Sequence, residues 1–136
     1  MQDGRIVAAG PKVDGAAALT FDFPDALILP GLVDMHAHPA RGGSRYGVDP
    51  DAHFLSRGVT TVLSQGDAGA NNWPTYRDHV IQSCRTRVIL AINLSIHGES
   101  HPDGCFPNID SANVDACVSA IESAGKAIWG IAVNTG

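Results

Sequence analysis

Leu32-Val33-Asp34-Met35-His36-Ala37-His38-Pro39 is a short, mainly apolar run that ends on two histidines spaced i and i+2. In an extended strand, alternate side chains leave the backbone on the same side, so His36 and His38 aim into one space. Two imidazoles a strand step apart can hold one divalent ion, at about 2.0–2.1 Å from each nitrogen. Each ring then needs a partner for its other N–H, and Asp34, on the same face one step back, is the candidate. An isolated His-x-His also arises as two ordinary surface histidines. Context favours the metal reading, because the pair closes a strand that follows the Pro30-Gly31 turn and opens a strand–helix series.

Downstream, apolar strand-like runs alternate with helical patterns. Asp49 to Arg57 reads as a short helix with Pro50 in its first turn and Gly58 after its end. Val59-Thr60-Thr61-Val62-Leu63 is β-branched and reads as a second strand. Asn72 is placed to cap a helix, with Trp73, Tyr76, Val80 and Cys84 at helical spacing. Arg87 to Leu94 is a third strand, apolar over most of its length as a covered parallel sheet requires. Asp110 or Ser111 caps the last helix, whose buried stripe is Val114, Cys117, Val118 and Ile121, and Gly125 ends it. Ala127 to Val133 is the fourth strand. The order βαβαβαβ implies right-handed crossovers and a parallel sheet. Active sites of such sheets lie at the carboxyl ends of the strands, where His36 and His38 fall.

Upstream, the chain reads differently. Arg5-Ile6-Val7-Ala8-Ala9 after the Asp3-Gly4 turn, and Ala26-Leu27-Ile28-Leu29 before Pro30-Gly31, read as two short strands. Residues 1–30 are therefore expected to form a small β piece beside a main domain of residues 31–136.

Composition narrows the function classes. The chain has 136 residues, 44% hydrophobic and 17% charged, which is globular composition. The net charge of −5, with nine scattered Lys and Arg, argues against a nucleic-acid partner and against a polybasic membrane anchor. No apolar run approaches the ~20 residues of a membrane span. The three cysteines, Cys84, Cys105 and Cys117, form no Cys-x-x-Cys pair, so buried thiols in a reducing cytoplasm are expected.

Leu29-Pro30-Gly31-Leu32-Val33-Asp34-Met35-His36-Ala37-His38 resembles the signature of the amidohydrolase superfamily. Asp3 to Gly10 is similar to the hairpin of the small β-sandwich that precedes the barrel there, and Gly58 to Val62 to its second-strand motif. Gly66-Asp67-Ala68-Gly69-Ala70, Ser83 to Val88, and Asn113 to Val118 resemble the dihydroorotase-like amidohydrolase/deacetylase family. The resemblance implies an α/β fold: about the first four βα units of a (β/α)₈ TIM barrel, preceded by a fragment of a β-sandwich. It implies a metal-dependent hydrolase of amide or cyclic amide bonds in a small molecule, with His36 and His38 as ligands, usually of zinc. An acid/base aspartate is implied beyond Gly136.

Three departures qualify what the resemblance implies. Two-metal members carry a carboxylated lysine on the fourth strand, and Ala132 stands at that position, which favours one ion over two. Ser64 stands near an expected aspartate. A full barrel takes about 250 residues, so a truncated, weakly active or inactive chain is expected, self-associating through unpaired barrel edges. The competing reading is a non-catalytic α/β remnant or assembly module that has lost the chemistry. A small nucleotide-binding domain would need a Gly-rich phosphate turn after the first strand, where His38-Pro39-Ala40-Arg41-Gly42-Gly43 stands instead.

Other polar residues have plainer roles to hand. His97, Glu99 and His101 follow the third strand and are expected in a solvated loop. His53 and His79 are expected on helix surfaces, and Cys84 and Cys117 in the core. Asp67 reaches the site or serves the Gly66 turn equally well. Arg41 and Arg45 are placed to meet an anionic substrate group, with a solvated loop as the default.

Overall fold

The computed structural model describes residues 1–135. Four strands, β1 (Leu32–Ala37), β2 (Val59–Gln65), β3 (Arg87–Asn93) and β4 (Ile128–Ala132), form one sheet in the order β1-β2-β3-β4. All three pairings are parallel, as the strand–helix alternation requires. A parallel four-stranded sheet in this order fits a partial α/β barrel. Parallel strands put all their carboxyl ends at one edge, which gathers His36, Gln65, Asn93 and Ala132 there.

The core lies between the sheet and its helices. Val62, Val88, Leu90, Ile92 and Ile128 pack with Trp73, Tyr76, Cys117 and Ala120. Helix α1 (Pro50–His53) starts where Asp49 accepts a hydrogen bond from the Ala52 amide at 2.9 Å, and a 3₁₀ turn (Leu55–Arg57) follows. Gly58 ends this segment at φ 84°, a conformation that strains any residue with a Cβ. Asp51 then accepts from the Arg85 and Thr86 amides and the Thr86 hydroxyl, fastening α1 to the start of β3. Helix α2 (Trp73–Tyr76) continues as a π-helical turn (Arg77–Ile81), and α3 (Val114–Ala124) precedes β4.

Several expectations are corrected. Residues 1–30 form no strand; Gln2 and Arg5 make one isolated antiparallel bridge. Ile6, Val7, Phe21, Phe23, Leu27, Ile28 and Leu29 are all exposed. A lone pair of short strands has no buried face to stabilise it, so propensity alone does not make a sheet. Asn113, not Asp110 or Ser111, caps α3, accepting from the Ala116 amide at 2.9 Å. Its buried stripe is rotated onto Cys117, Ala120, Ile121 and Ala124, with Val114 and Val118 exposed. The small alanines let the helix lie close to the sheet. Cys84 lies beyond the helical segment, which ends at Ile81, and its thiol donates to the Thr86 carbonyl.

Exposed apolar side chains also mark both edges of the sheet: Leu32, Val33 and Met35 on β1, and Trp129, Ile131 and Val133 on or just after β4. No described helix is long and apolar enough to cross a membrane.

The division between core and N-terminal stretch has a measurable consequence. Leu90→Ala removes a fully buried side chain and should cost about 2–5 kcal/mol in denaturant unfolding. Leu27→Ala, at a side chain 83% exposed, should stay within about 0.5 kcal/mol. Equal losses at both positions would contradict the placement of the core.

Candidate metal centre

The carboxyl edge of the sheet carries the polar residues. His36 is the fifth residue of β1, and His38 lies just past its end. Ala37 between them is buried in the core cluster, so the two histidines project away from the helices. Their ring centres are 5.8 Å apart, edge toward face. A metal–nitrogen bond of about 2.1 Å puts a ring centre roughly 3.2 Å from the ion, so two rings can share an ion only within about 6.4 Å. The observed spacing meets that limit. His36 is exposed, while His38 is largely buried against the loop after β2.

That loop supplies the partner of His38. Asp67 Oδ1 lies 2.7 Å from His38 Nδ1. Its other oxygen, Oδ2, accepts from the Ser64 hydroxyl at 2.8 Å and the Tyr76 hydroxyl at 3.3 Å. Asp67 is fully buried, and these three donors compensate its removal from water. An ionised carboxylate only accepts, so the nitrogen facing it carries the proton. The tautomer follows from this network. His38 Nε2 then keeps its lone pair, the state a metal ligand needs.

The expected role of Asp34 is not the observed one. Its carboxylate accepts from the His36 backbone amide at 3.0 Å, a contact within the strand. Two residues back along β1, the nearer donor is the main chain rather than the ring. Asp67, left between two readings by the sequence, is the carboxylate on an imidazole. Ser64, read as a departure from the family pattern, holds that same carboxylate.

Close backbone approaches set the loop. A Cβ on Gly69 would lie 1.8 Å from the Ser95 carbonyl oxygen, and one on Gly98 2.5 Å from that of Asp67. Both glycines let the loops after β2 and β3 touch. The Glu99 amide donates to the carbonyls of Gly66 and Asp67 in the same contact.

Glu99 corrects another expectation: it is 5% exposed rather than solvated. Its carboxylate accepts from the Asn134 side-chain amide, tying the loop to the end of β4. Ala132 pairs with Asn93 in the sheet. A Cβ on Gly66 would lie 2.7 Å from Asn134 Nδ2, 2.9 Å from Asn93 Nδ2 and 3.3 Å from Ala132 Cβ. Ala132 itself carries no atom that could ligate a metal. Among the described residues, no three of His, Cys, Asp and Glu converge at metal-binding spacing. The ring spacing of His36 and His38 is compatible with two imidazoles sharing an ion.

The remaining candidates lie apart. His97 and His101 face each other with ring centres 4.9 Å apart. His53 donates through Nδ1 to the Asp49 carbonyl at 3.1 Å, and His79 is exposed. Arg41 reaches Asp49 at 3.9 Å, and Arg45 lies over the Tyr46 ring at 5.4 Å. Cys105 is buried beside Asn93, and burial together with the Glu99 charge pushes its thiol up, away from a nucleophilic thiolate.

The chain matches several known proteins over this region. It is 35% identical over 97 residues to a deacetylase of Agrobacterium fabrum, covering 71% of this chain and 24% of that protein. A crystal structure of an adenine deaminase superposes with a TM-score of 0.79 at 26% identity, over 88% of this chain and 32% of the other. One of a dihydroorotase gives 0.71 at 27% identity, over 80% and 36%. The chain spans about a quarter of the length of the curated relative. No protein-family model matches.

The network also sets a pH response. The hydrogen bond to Asp67 raises the His38 pKa above its ordinary 6.5; burial opposes this, and the charges of Asp67 and Glu99 add to it. A raised folded pKa stabilises the fold fully below about 6.5, and that contribution is lost as pH rises through the folded value. Asp67→Asn should lower the His38 midpoint toward the ordinary value in an NMR titration and flatten this part of the stability profile. An unchanged midpoint would contradict the assigned contact.

Proposed function

Because the chain belongs to the amidohydrolase superfamily over its matched stretch, we propose that it carries the first metal ligands of a hydrolase acting on carbon–nitrogen bonds of a small amide or cyclic amide. The observation that carries this reading is the His36–His38 pair at 5.8 Å, with His38 backed by buried Asp67. His36 and His38 would hold a single divalent ion, with zinc the first choice for two imidazoles. Such an ion, when bound, polarises a carbonyl and lowers the pKa of water toward ~7. The chain's own part is to present the two imidazoles and to fix the orientation of His38 through Asp67. Ala132, which carries no ligand atom on the fourth strand, argues for one ion rather than two.

A second reading has its own support. Among the described residues no group of three or more His, Cys, Asp and Glu is placed to hold an ion, whereas catalytic zinc sites keep three protein ligands. On that reading the chain keeps the scaffold without the chemistry.

Titration of the purified chain with zinc tests the proposal. One ion per chain should bind, and the His36→Ala/His38→Ala variant should lose that binding. Equal zinc in both proteins would overturn it. Zinc-dependent release of amine from N-acyl substrates, absent in the variant, would favour the hydrolase over the scaffold reading. Zinc binding without turnover would favour the scaffold.

A further inference from the structure

The Asp67 carboxylate divides its oxygens. Oδ1 faces the His38 ring, while Oδ2 takes two hydroxyls from two different elements, Ser64 on β2 and Tyr76 on α2. All three residues that hold this carboxylate or are held by it on the helix side, Ser64, Asp67 and Tyr76, are buried. A carboxylate anchored at one oxygen by two donors cannot turn about its Cβ–Cγ bond without leaving hydroxyls unpaired in the core. Its other oxygen is therefore fixed in the direction of His38.

We propose that Tyr76 and Ser64 are positioning residues for His38, acting through Asp67. The proposal rests on the reading of His38 as a metal ligand, and it extends the centre from the sheet edge into the helix layer. Tyr76 was expected only as part of a core stripe, and its ring does pack there, beside Trp73. Its hydroxyl has a separate task. Burial pushes that hydroxyl well above its ordinary pKa of 10.0, and the Asp67 charge adds to this, so it stays protonated and donates. Loss of one donor leaves the carboxylate free to swing, and His38 then exchanges its proton between the two ring nitrogens. The helix layer thereby controls which nitrogen is open to a cation.

Tyr76→Phe keeps the ring and removes only the donor, so it separates positioning from packing. Two measurements apply. Long-range ¹H–¹⁵N NMR of the metal-free protein at alkaline pH reads the His38 tautomer. The wild-type protein should show the Nδ1–H form, and Tyr76→Phe and the Ser64→Ala/Tyr76→Phe double variant should show averaged shifts of a mixture. Trp73→Phe disturbs the same core without touching the carboxylate, and should keep the wild-type tautomer. Zinc affinity should fall about tenfold in Tyr76→Phe, the scale at which groups behind a metal ligand act. A single Nδ1–H tautomer in the Tyr76→Phe and double variants would overturn the proposal. A wild-type chain with the expected tautomer response that binds no zinc would overturn the metal reading and leave the positioning intact.

Discussion

A carboxylate removed from water needs donors on both oxygens, and that requirement organises the polar end of this protein. Asp67 is fully buried and meets it with one imidazole and two hydroxyls. The cost of burying an unpaired charge greatly exceeds the worth of any one hydrogen bond, so the donors are constrained together. His38, Ser64 and Tyr76 come from the end of β1, from β2 and from α2. One acid thus couples the first strand, its neighbour and the covering helix.

The parallel sheet makes this coupling possible. Its strands run one way, so loops of similar position meet at one edge. Gly69 and Gly98 allow the loops after β2 and β3 to pack backbone against backbone. Glu99 then ties the second loop to Asn134 past the end of β4. The same edge carries the imidazoles of His36 and His38 on its β1–β2 side, and Asn93, Asn134 and the buried Glu99 carboxylate on its β3–β4 side.

Much of the sheet was legible in the sequence, because β-branched and apolar runs such as Val59–Leu63 and Arg87–Leu94 meet a strand's demands locally. Asp49, Pro50 and Gly58 likewise punctuate a helix through chemistry confined to a few residues. The two N-terminal runs looked as strand-like, yet Ile6 and Leu27 stay exposed because a strand also needs a partner and a covered face. Asn72 shows the same limit: its side chain reaches Gly69, His97 and Ser100 across loops rather than capping α2. The position of His36 and His38 at the carboxyl end of the first strand was readable from the apolar run that precedes them. Asp67 as the partner of His38 was not, since the two are 29 residues apart and meet only after β1 and β2 pair. Glu99 and Tyr76 were hidden for the same reason, one inside a loop that sequence marks as polar, the other inside a stripe that sequence marks as apolar.

X-ray absorption of the zinc-loaded chain tests the central claim most directly, because it reports the atoms around the ion itself. Ligation through His36 and His38 gives a nitrogen and oxygen shell at about 2.0–2.1 Å with the outer-shell scattering of two imidazoles. A shell without imidazole scattering, or one dominated by sulfur at about 2.3 Å, would contradict it.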